Sequence, residues 1–138
     1  MSHNRGSRLR MSKVLVVDDS KTIRMILRRI LKEIGFEVCE AENGVEALKV
    51  IAVENDAVSL ILADWNMPEM NGLELLRTVR KRPELRPVKV VMVTTEAEMT
   101  HMTAALQEGA DEYVMKPFTK DILVEKLEMI GILPSLQA

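Results

Sequence analysis

The chain has 138 residues, 47% apolar and 29% charged, which suits one globular domain with a single hydrophobic core and no need of disulfide or metal staples. Its 21 acidic and 19 basic residues leave a formal charge of −2, so nothing in the balance marks a binder of nucleic acid, and any acidic feature must be local. The longest apolar runs reach only about five residues and no signal-peptide core follows the basic start, so neither membrane insertion nor secretion is expected.

Residues 1–11 are polar and basic without an apolar period and read as a disordered leader or an expression-derived extension. From residue 12 to 133 short β-branched runs alternate with longer amphipathic segments, the signature of strand–helix units around a parallel sheet. Residues 14–17 predict the first strand. Ile23, Ile26, Leu27, Ile30, Leu31 and Ile34 then recur at helical spacing, and Gly35 stands where a left-handed cap is expected. A second strand follows at 37–41 and carries Cys39, the single cysteine, which reads as a buried inert thiol in a reducing cytoplasm. Next come a helix through Val45, Leu48 and Ile51, a strand at 60–63, and a helix through Leu73, Leu76 and Val79. A strand at 88–93, a helix through Met102, Ala105 and Leu106, a strand at 112–115 and a helix through Leu123, Leu127 and Ile130 complete the pattern. Most of these strands are too continuously apolar to be half exposed, so both faces of the sheet should be covered. Gly131 onward reads as a frayed tail, with 134–138 outside the domain and no room for an output domain.

In an open parallel α/β sheet the binding crevice lies at the carboxyl ends of the strands. There the chain places Asp18 and Asp19 after the first strand, Asp64 after the third, Thr94 and Thr95 after the fourth, and Lys116 after the fifth. Three clustered carboxylates repel one another unless a cation joins them. Oxygen ligands without histidine favour magnesium, which keeps waters that incoming phosphoryl oxygens can replace, while Lys116 and a threonine hydroxyl complete the charge balance. Each residue also has a plainer role. Asp18, Asp19 and Ser20 suit a helix start, Asp64 suits a turn, and Lys116 before Pro117 suits an ordinary loop. Their joint placement at strand ends carries the inference.

The strings Val16-Val17-Asp18-Asp19, Asp64-Trp65-Asn66-Met67-Pro68, Val93-Thr94 and Tyr113-Val114-Met115-Lys116-Pro117-Phe118 resemble the receiver domains of two-component response regulators, in particular the single-domain chemotaxis (CheY-like) type. The resemblance implies a flavodoxin-like three-layer sandwich with strand order 2-1-3-4-5, an order for which the chemotaxis receiver is a standard example. It implies that Asp64 accepts the phosphoryl group from a sensor histidine kinase, and that Asp19, Asp64 and the Asn66 carbonyl ligate Mg2+, with Asp18 acting mainly through water. Lys116 would pair with the phosphoryl oxygens, Thr94 would move inward to hydrogen-bond them, and Tyr113 would follow as the aromatic switch. Asn66 and Glu96 match positions that tune dephosphorylation, although Asn66 also suits a turn and Glu96 a first helical turn. The partner face would comprise 97–108, 112–115 and 120–130. The implied partners are a flagellar motor switch protein or a phosphatase, with no nucleic acid, and the implied state is a monomer, or a dimer formed on phosphorylation.

The chain also departs from the chemotaxis pattern. Glu98 and Met99 stand where lysines are expected at the start of the fourth helix, and a second threonine follows Thr94. Met99 and Met102 read as core more readily than as a partner surface. Trp65 is expected beside the acidic pocket, His101 as a solvated helix residue, and Phe118 packed under the loop after Pro117. Competing functions are a phosphorelay intermediate, the receiver portion of a longer regulator, a haloacid-dehalogenase-like phosphatase and a flavin carrier. Asn66 stands where the phosphatase needs a second aspartate, and the carboxylates stand where a flavin phosphate wants backbone amides. The expectation is therefore a signalling switch that catalyses only its own phosphorylation and dephosphorylation.

Overall fold

A computed structural model of the protein describes residues 13–54 and 57–132. The expected leader and the 134–138 tail lie outside the described residues. Five strands, β1 (Lys13–Val17), β2 (Glu37–Ala41), β3 (Val58–Asp64), β4 (Lys89–Thr94) and β5 (Glu112–Met115), alternate with five helices. These are α1 (Lys21–Ile34), α2 (Gly44–Glu54), α3 (Gly72–Lys81), α4 (Met102–Gln107) and α5 (Lys120–Met129). Every strand pair is parallel and the order is β2-β1-β3-β4-β5, so the expected three-layer topology stands.

The two-residue period of each strand divides the core. Val14 and Val16 of β1, Leu60 and Leu62 of β3, Val91 and Val93 of β4, and Val114 of β5 pack with Leu27, Leu31, Leu123 and Leu127 from α1 and α5. The alternate residues, among them Leu15, Ile61, Val90 and Met92, meet Ala47, Leu75, Leu76 and Met102 from α2, α3 and α4. Both faces of the central strands are thus buried, which is why their sequences are almost continuously apolar. The edge strand β2 is less enclosed, and it leaves Cys39 half-buried rather than buried. What burial there is pushes the thiol up from its ordinary value, which disfavours the reactive thiolate.

Local chemistry sets the ends of the helices. Ser20 Oγ accepts from Ile23 N–H at 3.2 Å to start α1, and Gly35 ends it at φ 116°, with Phe36 N–H returning to the Leu31 carbonyl at 3.0 Å. Asn71 and Glu74 form a reciprocal capping box at α3, both bonds 2.9 Å, and Thr119 caps α5.

Three expectations need correction. The fourth helix expected over 97–108 is divided, with a 3-10 segment Glu96–His101 leading into α4. No residue of that segment is buried, whereas Met102 and Ala105 are core, so the regular α-turn holds only where side chains pack. Ile26, counted in the apolar stripe of α1, is exposed. Ile132, assigned to the frayed tail, is instead partly buried against the α1 and α5 core, and its N–H donates to Leu127 at 2.9 Å.

Gly72 places α3 against the end of β3. Its N–H donates to the Trp65 carbonyl at 3.0 Å, and a Cβ there would collide with the backbone carbonyl of Asp64. Backbone cannot yield as a side chain does, so Gly72→Ala is expected to cost about 1–3 kcal/mol in urea unfolding. A loss below about 0.5 kcal/mol would show that the helix moves away freely.

Candidate functional site

The strand order reverses between β1 and β3, and the crevice at this switch point holds the polar residues that end the strands. Backbone bonds extend the ladders one residue beyond the strands. Asp18 N–H donates to Ala41, Trp65 N–H to Val93 and Lys116 N–H to Thr94, at 3.1, 3.0 and 2.6 Å. Asp18 and Lys116, each just beyond its strand, are therefore fixed as firmly as strand residues.

Asp18 and Asp64 are 1% and 6% exposed, while Asp19 is exposed, and a carboxylate oxygen from each lies within 4.8 Å of the other two. Lys116 Nζ joins the buried pair, 3.2 Å from Asp18 Oδ2 and 3.1 Å from Asp64 Oδ1. The capping role expected of Asp18, Asp19 and Ser20 falls to Ser20, which takes the N-cap, and Asp18 Oδ1 supports it by accepting from Ser20 N–H at 2.8 Å. Asp19 makes no ion pair among the described residues.

Burial, and next the charge of Asp18, pushes the Asp64 carboxyl from its ordinary 3.8 up to about 6, against the pull of Lys116. For Lys116 burial works against the charge, but Asp64 and Asp18 outweigh it and raise the ammonium above its ordinary value. The two directions agree, because one ammonium is shared between two carboxylates that also repel each other.

The remaining expected site residues lie on β4, β5 and the segments that follow β3 and β4. Thr94 is fully buried at the end of β4, and its hydroxyl lies 3.3 Å from Glu98 Oε1 and 3.3 Å from the Thr95 carbonyl. Glu98 Oε1 also accepts from Thr95 N–H at 3.2 Å. Asn66 is exposed on the loop after β3, and Glu96 is exposed as the first residue of the 3-10 segment after β4. Tyr113 is half-buried, with Lys126 Nζ 4.4 Å from its ring centroid. Met102 is core, and Met99 packs partly against the same cluster. Phe118 packs partly against the α1 and α5 core.

Two contacts were missed in the sequence. His101 is exposed but not merely solvated, since its ring stacks on Trp65 at 5.4 Å and 11°. Glu98 reaches Thr94, and here a signal existed, because Thr95-x-x-Glu98 has the spacing of a capping box.

An acid whose folded pKa lies above its unfolded value binds its proton more tightly when folded. The Asp64 contribution therefore weakens the metal-free fold as pH rises from about 4 to about 6, and the deficit is complete above that. In a chelator, Asp64→Asn is expected to raise the thermal midpoint at pH 7.5, with the gain shrinking toward pH 4.5. A gain independent of pH would remove the titration of Asp64 as its cause.

The chain matches the family model described as the response regulator receiver domain over residues 14–128. It is 44% identical over 119 residues to the chemotaxis protein CheY1 of Helicobacter pylori, covering 86% of this chain and 95% of that protein. To the chemotaxis protein CheY homolog of Campylobacter jejuni it is 46% identical over 117 residues, covering 84% and 89%. Among solved structures, the chemotaxis protein CheY4 of Vibrio cholerae matches with a TM-score of 0.79 at 33% identity, covering 86% of this chain and 98% of that one. A response regulator receiver domain protein from Clostridium thermocellum also gives 0.79, at 28% identity, covering 86% and 93%. With the crevice, the fold and the family match in agreement over most of its length, the chain belongs to the response regulator receiver domain family.

Proposed function

We propose that the protein is a stand-alone chemotaxis response regulator, formed by residues 12–133, that takes a phosphoryl group onto Asp64 from a sensor histidine kinase and changes which partner it binds. The observation that carries this reading is Lys116 bridging buried Asp18 and Asp64 beside Asp19.

Three carboxylates and one ammonium leave the metal-free cluster at a formal −2, and oxygen donors converging within 4.8 Å suit a hard divalent cation. Asp19, Asp64 and the Asn66 carbonyl would hold Mg2+, with Asp18 acting mainly through water. Such an ion supplies positive charge opposite the transferring phosphoryl group.

Asp64 is the nucleophile. One of its oxygens forms the P–O bond as the P–N bond of the donor phosphohistidine breaks and the imidazole leaves. Lys116, already 3.1 Å from Asp64 Oδ1, follows the new negative charge onto the phosphoryl oxygens. The Thr94 hydroxyl then donates to one of those oxygens, and Tyr113 shifts as Thr94 moves. Exposed Asn66 and Glu96 flank the path by which water hydrolyses the acyl phosphate and resets the switch.

The chemotaxis output is supported by the relatives in Helicobacter pylori and Campylobacter jejuni, both named as chemotaxis proteins. Near Tyr113, α4, β5 and α5 expose Leu106, Met115 and Ile122, which suit a partner such as a flagellar motor switch protein. No described helix is long and apolar enough to cross a membrane. The reading places the protein in the cytoplasm with its kinase.

Trp65, the only tryptophan, adjoins the acceptor and reports the chemistry directly. Its fluorescence should change with Mg2+ and change again with acetyl phosphate; a second change retained in Asp64→Asn would defeat the acceptor assignment. Lys116→Ala is expected to slow phosphorylation by about 10²-fold, as the loss of one charge-stabilising donor does elsewhere. Labelling at the wild-type rate in that variant would remove Lys116 from the site.

A further inference from the structure

We infer that Glu98 is a positioning residue for Thr94, its carboxylate holding the threonine hydroxyl away from Asp64 and so setting how much phosphoryl donor is needed to switch the protein. The inference rests on the receiver reading of Thr94 and goes beyond it by naming what the hydroxyl must leave.

Thr94 is fully buried, and its single hydroxyl proton can go to only one acceptor at a time. Two stand at 3.3 Å, the Thr95 carbonyl and Glu98 Oε1, and the ionised carboxylate is the stronger. Among the described residues no hydrogen bond joins this hydroxyl to Asp64 or Lys116. Glu98 Oε1 also accepts from Thr95 N–H at 3.2 Å, which helps to hold it beside Thr94.

Threonine is branched at Cβ, so its hydroxyl occupies discrete rotamers and does not drift between them. A hydroxyl given to Glu98 is unavailable to a phosphoryl group on Asp64. The two anions therefore compete for one proton, and the phosphoryl group must win it before the rotamer changes. A lysine at this position could not compete, since an ammonium offers donors only.

The test reads the binding midpoint for beryllofluoride with Mg2+, a mimic of the phosphoryl group, by Trp65 fluorescence, with calorimetry for variants whose fluorescence is silent. Glu98→Ala should lower the midpoint by roughly three- to tenfold, the range expected for one long hydrogen bond to a charged group. Glu98→Gln should lower it less. In Thr94→Val, where a methyl replaces the hydroxyl, Glu98→Ala should shift the midpoint far less, and the difference between the two shifts isolates the Thr94–Glu98 contact, because loss of the bond to Thr95 N–H is common to both backgrounds.

An equal shift in the Thr94→Val background would assign Glu98 a purely structural role and overturn the inference. So would the absence of a shift in the Thr94 background. A wild-type protein that binds no beryllofluoride with Mg2+ would instead overturn the receiver reading, and the inference with it.

Discussion

Asp18 and Asp64 are buried at the carboxyl end of a parallel sheet, with Asp19 beside them and one ammonium, Lys116, between the buried pair. At an effective dielectric of about 20, two unit charges about 4.8 Å apart repel by roughly 3 kcal/mol, while opposite charges about 3.1 Å apart attract by roughly 5 kcal/mol. Lys116 can offset the repulsion of the buried pair, but it cannot neutralise three carboxylates. The cluster is therefore held together by a single cation and remains short of positive charge. Burial first, and the charge of Asp18 next, raise the Asp64 pKa, and the shortage of positive charge makes a divalent ion chemically appropriate.

The frame that imposes this crowding was largely readable from the residues. Continuous apolar runs announced strands buried on both faces, and the polar residue after each run announced the crevice. Strand order was less accessible, because periodicity gives no neighbour relations and the 2-1-3-4-5 order came from family resemblance. The division of the fourth helix was hidden for another reason. Ala97, Glu98 and Met99 have adequate helical propensity, but no residue of 96–101 is fully buried and Met99 packs only partly against the core, so little packing supports a regular α-turn there. The positions of His101 and Lys126 were hidden too, since the first depends on the tighter turn and the second on how α5 lies over β5.

These late-appearing contacts link the acidic centre to the surface. Thr94 touches Glu98 in the 3-10 segment, and Trp65 stacks on His101 at its end, so the same six residues are tied both to Thr94 and to the residue after Asp64. No residue of the segment is fully buried, though Met99 packs partly against the core. In the proposed switch, these contacts would carry a change at Asp64 toward α4 and Tyr113.

The central claim is that Asp64, and no other carboxylate of the cluster, carries the phosphoryl group. Borohydride reduces an acyl phosphate of aspartate to homoserine, so treatment after incubation with acetyl phosphate and Mg2+, followed by peptide mapping, reads the acceptor directly. The account predicts homoserine at position 64 alone, absent when Mg2+ is chelated. Homoserine at 18 or 19, or none at any position in protein that binds Mg2+, would contradict it.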